Sequence, residues 1–143
     1  MPFINSKVSI TITDEKKETI KSKLGKIIEL IPGKSQEWLM VGFEDNYSLY
    51  FKGTNDRPTA FIEVKIFGNA SEASYNKLTE AICNLFYEEL QIPKDRIYVK
   101  YEEVYNWGYN GSNFKYHEEN NNIESYFYHD AFMYILWKKR YSF

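Results

Sequence analysis

Met1-Pro2-Phe3-Ile4 is where chemistry is first to be sought in this chain. Pro2 is small enough for removal of Met1 to be expected, which leaves a free secondary amine opening an apolar strand. An α-amino group titrates near ~8, and burial among apolar groups pushes it lower. An amine brought towards ~7 is a good general base, largely unprotonated yet able to take a proton. On its own the dipeptide is equally a plain strand start. Lys34, just past Pro32-Gly33, could bind an anion, although a cation at a helix end more often complements the macrodipole. Tyr98 and Trp107 read as core aromatics when taken alone. Cys83 lies mid-helix beside an apolar stripe and reads as a packed, inert thiol. His117 and His129 lack metal-ligand spacing, so neither a metal nor a cofactor is called for.

The elements that must position these groups follow from periodicity. Phe3 to Ile12 reads as a strand. Thr13 is a fitting N-cap ahead of Asp14 and Glu15, and Ile20, Leu24, Ile27, Ile28 and Ile31 form one helical stripe. Pro32-Gly33 ends that helix. Trp38 to Phe43 reads as a strand, and Asp45-Asn46 turns the chain into a short one over Tyr47 to Phe51. Ala60 to Phe67 alternates most clearly, with Ala60, Ile62, Val64 and Ile66 on one face. Ser71 or Ser74 caps a second helix with the stripe Tyr75, Leu78, Ile82, Leu85, Phe86 and Leu90. Ile92-Pro93 stops it, and Ile97 to Val104 is strand again.

The two halves repeat. Pro2 to Val8 aligns with Ala60 to Ile66 without a gap, Ile31-Pro32 with Ile92-Pro93, and Val41 to Glu44 with Val99 to Glu102. A duplicated β-α-β unit predicts an α/β, two-layer domain: a four-stranded mixed sheet with both helices on one face. The other face then carries Phe3, Phe61 and Phe67 beside Lys7, Glu63 and Lys65, with Lys65 in a cross-strand ion pair. Such a mixed, half-apolar face predicts an oligomer.

The length of 143 residues suits one compact domain, and 43% hydrophobic content with 13 Tyr and 10 Phe marks it as globular. A net charge of −2 argues against a general nucleic-acid binder. One cysteine excludes an internal disulfide framework. The start lacks the basic segment and apolar run of a signal peptide, and nothing approaches the ~20 apolar residues of a membrane span. The expectation is a soluble, cytoplasmic protein, with leaderless release from the cell compatible with it.

Met1-Pro2-Phe3-Ile4, Pro32-Gly33-Lys34, and the run from Ile92-Pro93-Lys94-Asp95-Arg96-Ile97-Tyr98-Val99 to Trp107-Gly108-Tyr109-Asn110-Gly111-Ser112-Asn113-Phe114 carry a family resemblance. The chain resembles the macrophage migration inhibitory factor family of the tautomerase superfamily, which includes phenylpyruvate and dopachrome tautomerases. The resemblance covers roughly residues 2 to 114. It implies a homotrimer with an active site at each subunit boundary, no cofactor, and a small α-keto acid or aryl enol as substrate. Pro2 matches the family's catalytic base and Lys34 the lysine that binds the substrate carboxylate. Ile66 matches a position whose backbone contacts substrate, and Tyr98 a tyrosine contributed by the adjacent subunit. Trp107 and Tyr109 match pocket walls.

Three departures stand out. Lys100 replaces an asparagine of the best-known member, which adds a cation able to strengthen carboxylate binding. Trp107 and Tyr109 stand where the family places an aliphatic residue and a tryptophan. Arg57 to Ile66 holds no cysteine, so thiol oxidoreductase activity is not supported. Catalysis is one expectation; a non-catalytic, cytokine-like binding protein on the same scaffold is the other. Domain boundaries are expected at 2–114, with 115–143 an extension: a polar linker over Tyr116 to Asn122, then an aromatic helix over Ile123 to Trp137 docked on the trimer exterior.

Overall fold

A computed structural model of the chain describes residues 1–117. Four strands form one sheet in the order β2-β1-β3-β4, where β1 is Pro2–Val8, β2 Met40–Glu44, β3 Ala60–Phe67 and β4 Ile97–Val104. Helix α1 spans Asp14–Ile27 and α2 Glu72–Leu90. A second, two-stranded sheet pairs β5 (Asn106–Tyr109) with β6 (Ser112–Lys115). β1 runs parallel to β2 and β3 parallel to β4, while the central pair β1/β3 is antiparallel. The duplication is therefore visible in the register. Phe3 pairs with Met40 and Phe61 with Tyr98, the same interval in both halves. Pro2 faces Ile66 and Val8 faces Ala60, two pairs that the repeat exchanges.

Burial follows the predicted stripes. Ile20, Leu24, Ile28 and Ile31 from the first crossover meet Leu78, Ile82, Leu85 and Phe86 of α2 over the inward residues Ile4, Val8, Ile62, Val64 and Ile66. Thr13 caps α1 by accepting from the Lys16 N–H, and Ser71 rather than Ser74 caps α2, accepting from the Ser74 N–H. The helices are also clamped through Glu89, which takes Lys16 at 3.0 Å and Lys23 at 2.6 Å. Those two hydrogen bonds, that of Lys23 the stronger, hold the Glu89 carboxyl below its ordinary range. Burial pushes the Cys83 thiol up, so it is a protonated, poor nucleophile near neutral pH.

Several expected boundaries move. β1 ends at Val8 rather than Ile12, because Ser9 leaves the ladder to exchange bonds with Thr59 and the Ile12 N–H turns to the Asp45 carboxylate. Trp38 lies in a 3-10 turn, Gln36–Trp38, ahead of β2. Tyr47 to Phe51 is not a strand. Tyr47 donates to the Val8 carbonyl, but among the described residues the segment has no ladder partner, and only Phe51 bridges to Thr54. Phe67 is not on an open face either; it is 1% exposed. Tyr116 stands edge-on to it at 6.0 Å and is tied by its N–H to the Tyr105 carbonyl. The segment expected to begin a polar linker thus starts with a packed aromatic. Lys65 lies 3.9 Å from Glu102, and Lys7 meets Glu63 at 2.9 Å. The expected helix over Ile123 to Trp137 and His129 lie outside the described residues.

Replacing Tyr116 by alanine uncovers Phe67 and removes one edge-on aromatic pair. The expected loss is about 1–2 kcal/mol of stability, read as a lower urea midpoint with unchanged slope.

Candidate active site

One end of the sheet gathers the groups the sequence singled out. Pro2 is buried at the start of β1, directly across from Ile66. The ladder continues one step further, with the Phe67 N–H donating to the Met1 carbonyl at 3.2 Å. Lys34 arrives at the same point from the first crossover. Its side chain is 6% exposed, and its Nζ donates to the Phe67 carbonyl at 3.0 Å. A buried ammonium thus sits one residue from the partner of Pro2. A positive charge there disfavours protonation of a neighbouring amine and attracts a carboxylate.

The local chain explains how Lys34 gets there. After α1 a single 3-10 turn, Ile28–Leu30, extends the helix, and Ile31 is buried as an anchor. Gly33 then takes φ of 81°, a left-handed conformation suited to glycine, and the Lys34 N–H returns to the Ile31 carbonyl. Gln36 lies against α1 over Gly25, where an added Cβ would come within 2.6 Å of the Gln36 side chain. Trp38, from the same connection, meets Tyr109 edge-on with ring centroids 5.4 Å apart. Trp107 is paired with Phe114 across the β5/β6 hairpin.

Tyr98 and Lys100 are elsewhere. Tyr98 pairs with Phe61, five residues back along β3 from Ile66, which is roughly 16 Å of strand. It is 59% exposed and stacks edge-on against Phe51 at 4.9 Å. Lys100 is level with Glu63 and bridges Glu102 at 3.0 Å. That hydrogen bond, chiefly, holds the Glu102 carboxyl below its usual range. Neither residue reaches its own chain's Pro2. Among the described residues no group of His, Cys, Asp and Glu side chains could hold a metal ion, and no helix is long and apolar enough to cross a membrane.

Two features escaped the sequence reading. The β5/β6 hairpin was announced by Asn110-Gly111, both at positive φ, the dipeptide preferred in two-residue hairpin turns. Arg96 is 2% exposed and reaches back to the turn at Phe51–Thr54. No local pattern signalled it, because its partners lie about forty residues earlier in the chain.

A two-layer, duplicated β-α-β domain whose first strand starts with a buried proline beside a buried lysine defines the tautomerase class of fold. Residues 1–115 match the family described as macrophage migration inhibitory factor (MIF). The macrophage migration inhibitory factor of Mus musculus is 29% identical over 99 residues, covering 68% of this chain and 85% of that protein. Leishmania major MIF2 superposes with a TM-score of 0.74 at 31% identity, over 80% of this chain and 97% of that one. The homologue from Prochlorococcus marinus gives 0.66 at 30%, over 78% and 98%. The chain belongs to the macrophage migration inhibitory factor family.

Proposed function

We propose that this protein is a cofactor-independent keto–enol tautomerase of the phenylpyruvate or dopachrome type, with Pro2 as general base. The observation that carries it is the delivery of the Lys34 ammonium to the Phe67 carbonyl, beside the Ile66–Pro2 pair. With Met1 removed, the Pro2 nitrogen takes a proton from the carbon next to the substrate carbonyl. The electron pair moves into the carbon–carbon bond, the protonated Pro2 amine returns the proton to the carbonyl oxygen to give the hydroxyl, and the reverse sequence ketonises the enol. Lys34 holds the carboxylate, and Trp38 with Tyr109 favours an aryl group.

The active unit is a homotrimer in this reading. Tyr98 is exposed and far from its own Pro2, so it serves a neighbour's pocket, and Lys100, two residues along the same strand, travels with it. The exposed Met40 and Tyr50, with no strand over 48–50 among the described residues, support an edge that receives another copy. A stable monomer in sedimentation at micromolar concentration overturns this assembly.

The direct test is ketonisation of enol phenylpyruvate. Lys34→Met removes a charge-assisted bond to the carboxylate, and a KM rise of about 10–100-fold with a smaller change in kcat is expected. An unchanged KM removes Lys34 from the substrate site. A binding role without catalysis is the alternative. It suits a retained Met1, whose side chain is 7% exposed and which turns the Pro2 nitrogen into an amide. Mass spectrometry of the native N-terminus separates the two.

A further inference from the structure

We infer that Arg96 is the positioning residue for Tyr98, acting through Phe51 from the end of the sheet opposite Pro2. A guanidinium removed from water is costly unless its donors are met by fixed acceptors. Those of Arg96 are met almost entirely by one tight turn. Nη1 donates to the Phe51 carbonyl at 2.9 Å and to Thr54 Oγ1 at 3.3 Å, Nη2 to the Thr54 carbonyl at 3.0 Å, and Nε to Thr59 Oγ1 at 3.0 Å. Phe51 and Thr54 also exchange their own backbone bonds, with Lys52 and Gly53 at φ of 52° and 76° between them. Arg96 therefore locks a closed two-residue turn against the start of β4.

The lock has a consequence for a ring. The guanidinium lies 5.3 Å from the centroid of Phe51, and Phe51 in turn meets Tyr98 edge-on. Tyr98, 59% exposed, depends on that contact for its direction. Asp56, whose carboxyl is held low first by a Thr54 hydrogen bond and further by Arg57 and Arg96, braces the same turn. Buried cation, turn, Phe51 and Tyr98 form one chain of contacts. It ends on the residue offered to the adjoining subunit, so the functional consequence rests on the tautomerase reading above.

The test installs 3-fluorotyrosine at position 98 of the full chain and follows its fluorine resonance beside steady-state kinetics. Arg96→Lys keeps the charge but loses the fork; Phe51→Leu removes the ring while leaving the Arg96 bonds to backbone intact. Both are expected to move or split the fluorine line. Both should lower kcat/KM about 10–100-fold, mostly through KM, with an unshifted pH profile, since misplacing a contact by an ångström has effects of that order. In a Tyr98→Ala background Phe51→Leu should add less than about twofold, because the two act as one unit. A fluorine line unmoved in Phe51→Leu, or losses that multiply with Tyr98→Ala, overturns the inference. A protein with no tautomerase activity at all overturns the catalytic reading instead, while the fluorine line still answers for Arg96.

Discussion

An alanine inserted between Met1 and Pro2 is expected to remove nearly all tautomerase activity, by about 10²–10⁴-fold. Processing of the inserted sequence exposes alanine, so the Pro2 nitrogen becomes an amide without a basic lone pair. The fold should survive, because the β1/β3 ladder starts at Pro2–Ile66 and already continues to the Met1 carbonyl. Far-UV circular dichroism identical to the parent, with the loss confined to kcat, is the expected pair of results. Pro2→Gly should be milder, since a primary amine remains at the same point. Near-parental kcat in the inserted form would place the base elsewhere.

Mixing two impaired variants should raise activity above that of either one. Pro2 and Tyr98 lie towards opposite ends of one sheet, so in the trimer proposed above each complete site would take its base from one subunit and its tyrosine from another. In trimers assembled from equal amounts of a Pro2→Gly chain and a Tyr98→Ala chain, a quarter of the boundaries hold both native residues. Co-refolding should therefore recover about a quarter of parental kcat per site, well above either variant alone; combining the two defects independently in this way follows from heterologous contacts in a closed ring. Recovery that never exceeds the mean of the parents would confine the site to one chain. The experiment needs no knowledge of the physiological substrate.

Much of this arrangement was legible because it is periodic. The apolar stripes of both helices, the Thr13 cap, the alternation over Ala60 to Phe67 and the internal repeat together dictate the crossovers and the parallel pairs. What stayed hidden was set by partners distant in sequence. Tyr47 to Phe51 has strand-like composition, but a strand exists only where a second backbone lies alongside. Phe67 has the alternation of an open-face residue, yet it is buried, with Tyr116 returning edge-on against it. Pro2, Lys34 and Ile66 could be named individually from the family resemblance. The arrival of Lys34 at the Phe67 carbonyl, next to the Pro2–Ile66 pair, depends on a glycine turn and the length of α1, which no local pattern states. Arg96 was harder still, because a lone arginine before a strand looks solvated until the Phe51–Thr54 turn is placed beside it.

The exchange of Pro2–Ile66 with Val8–Ala60 under the repeat makes the sheet's backbone nearly blind to direction. The fold itself does not care which β-α-β unit is read first. A circular permutant opened between Pro58 and Ala60, with the old termini linked, would keep each crossover and every strand neighbour. It would nonetheless be chemically inverted: its new terminal amine would emerge beside Thr59 and Arg96, and Pro2 would be locked into a peptide bond beside Lys34. On the proposed mechanism, the order of the two units is a constraint that the reaction would impose on a scaffold that has none of its own.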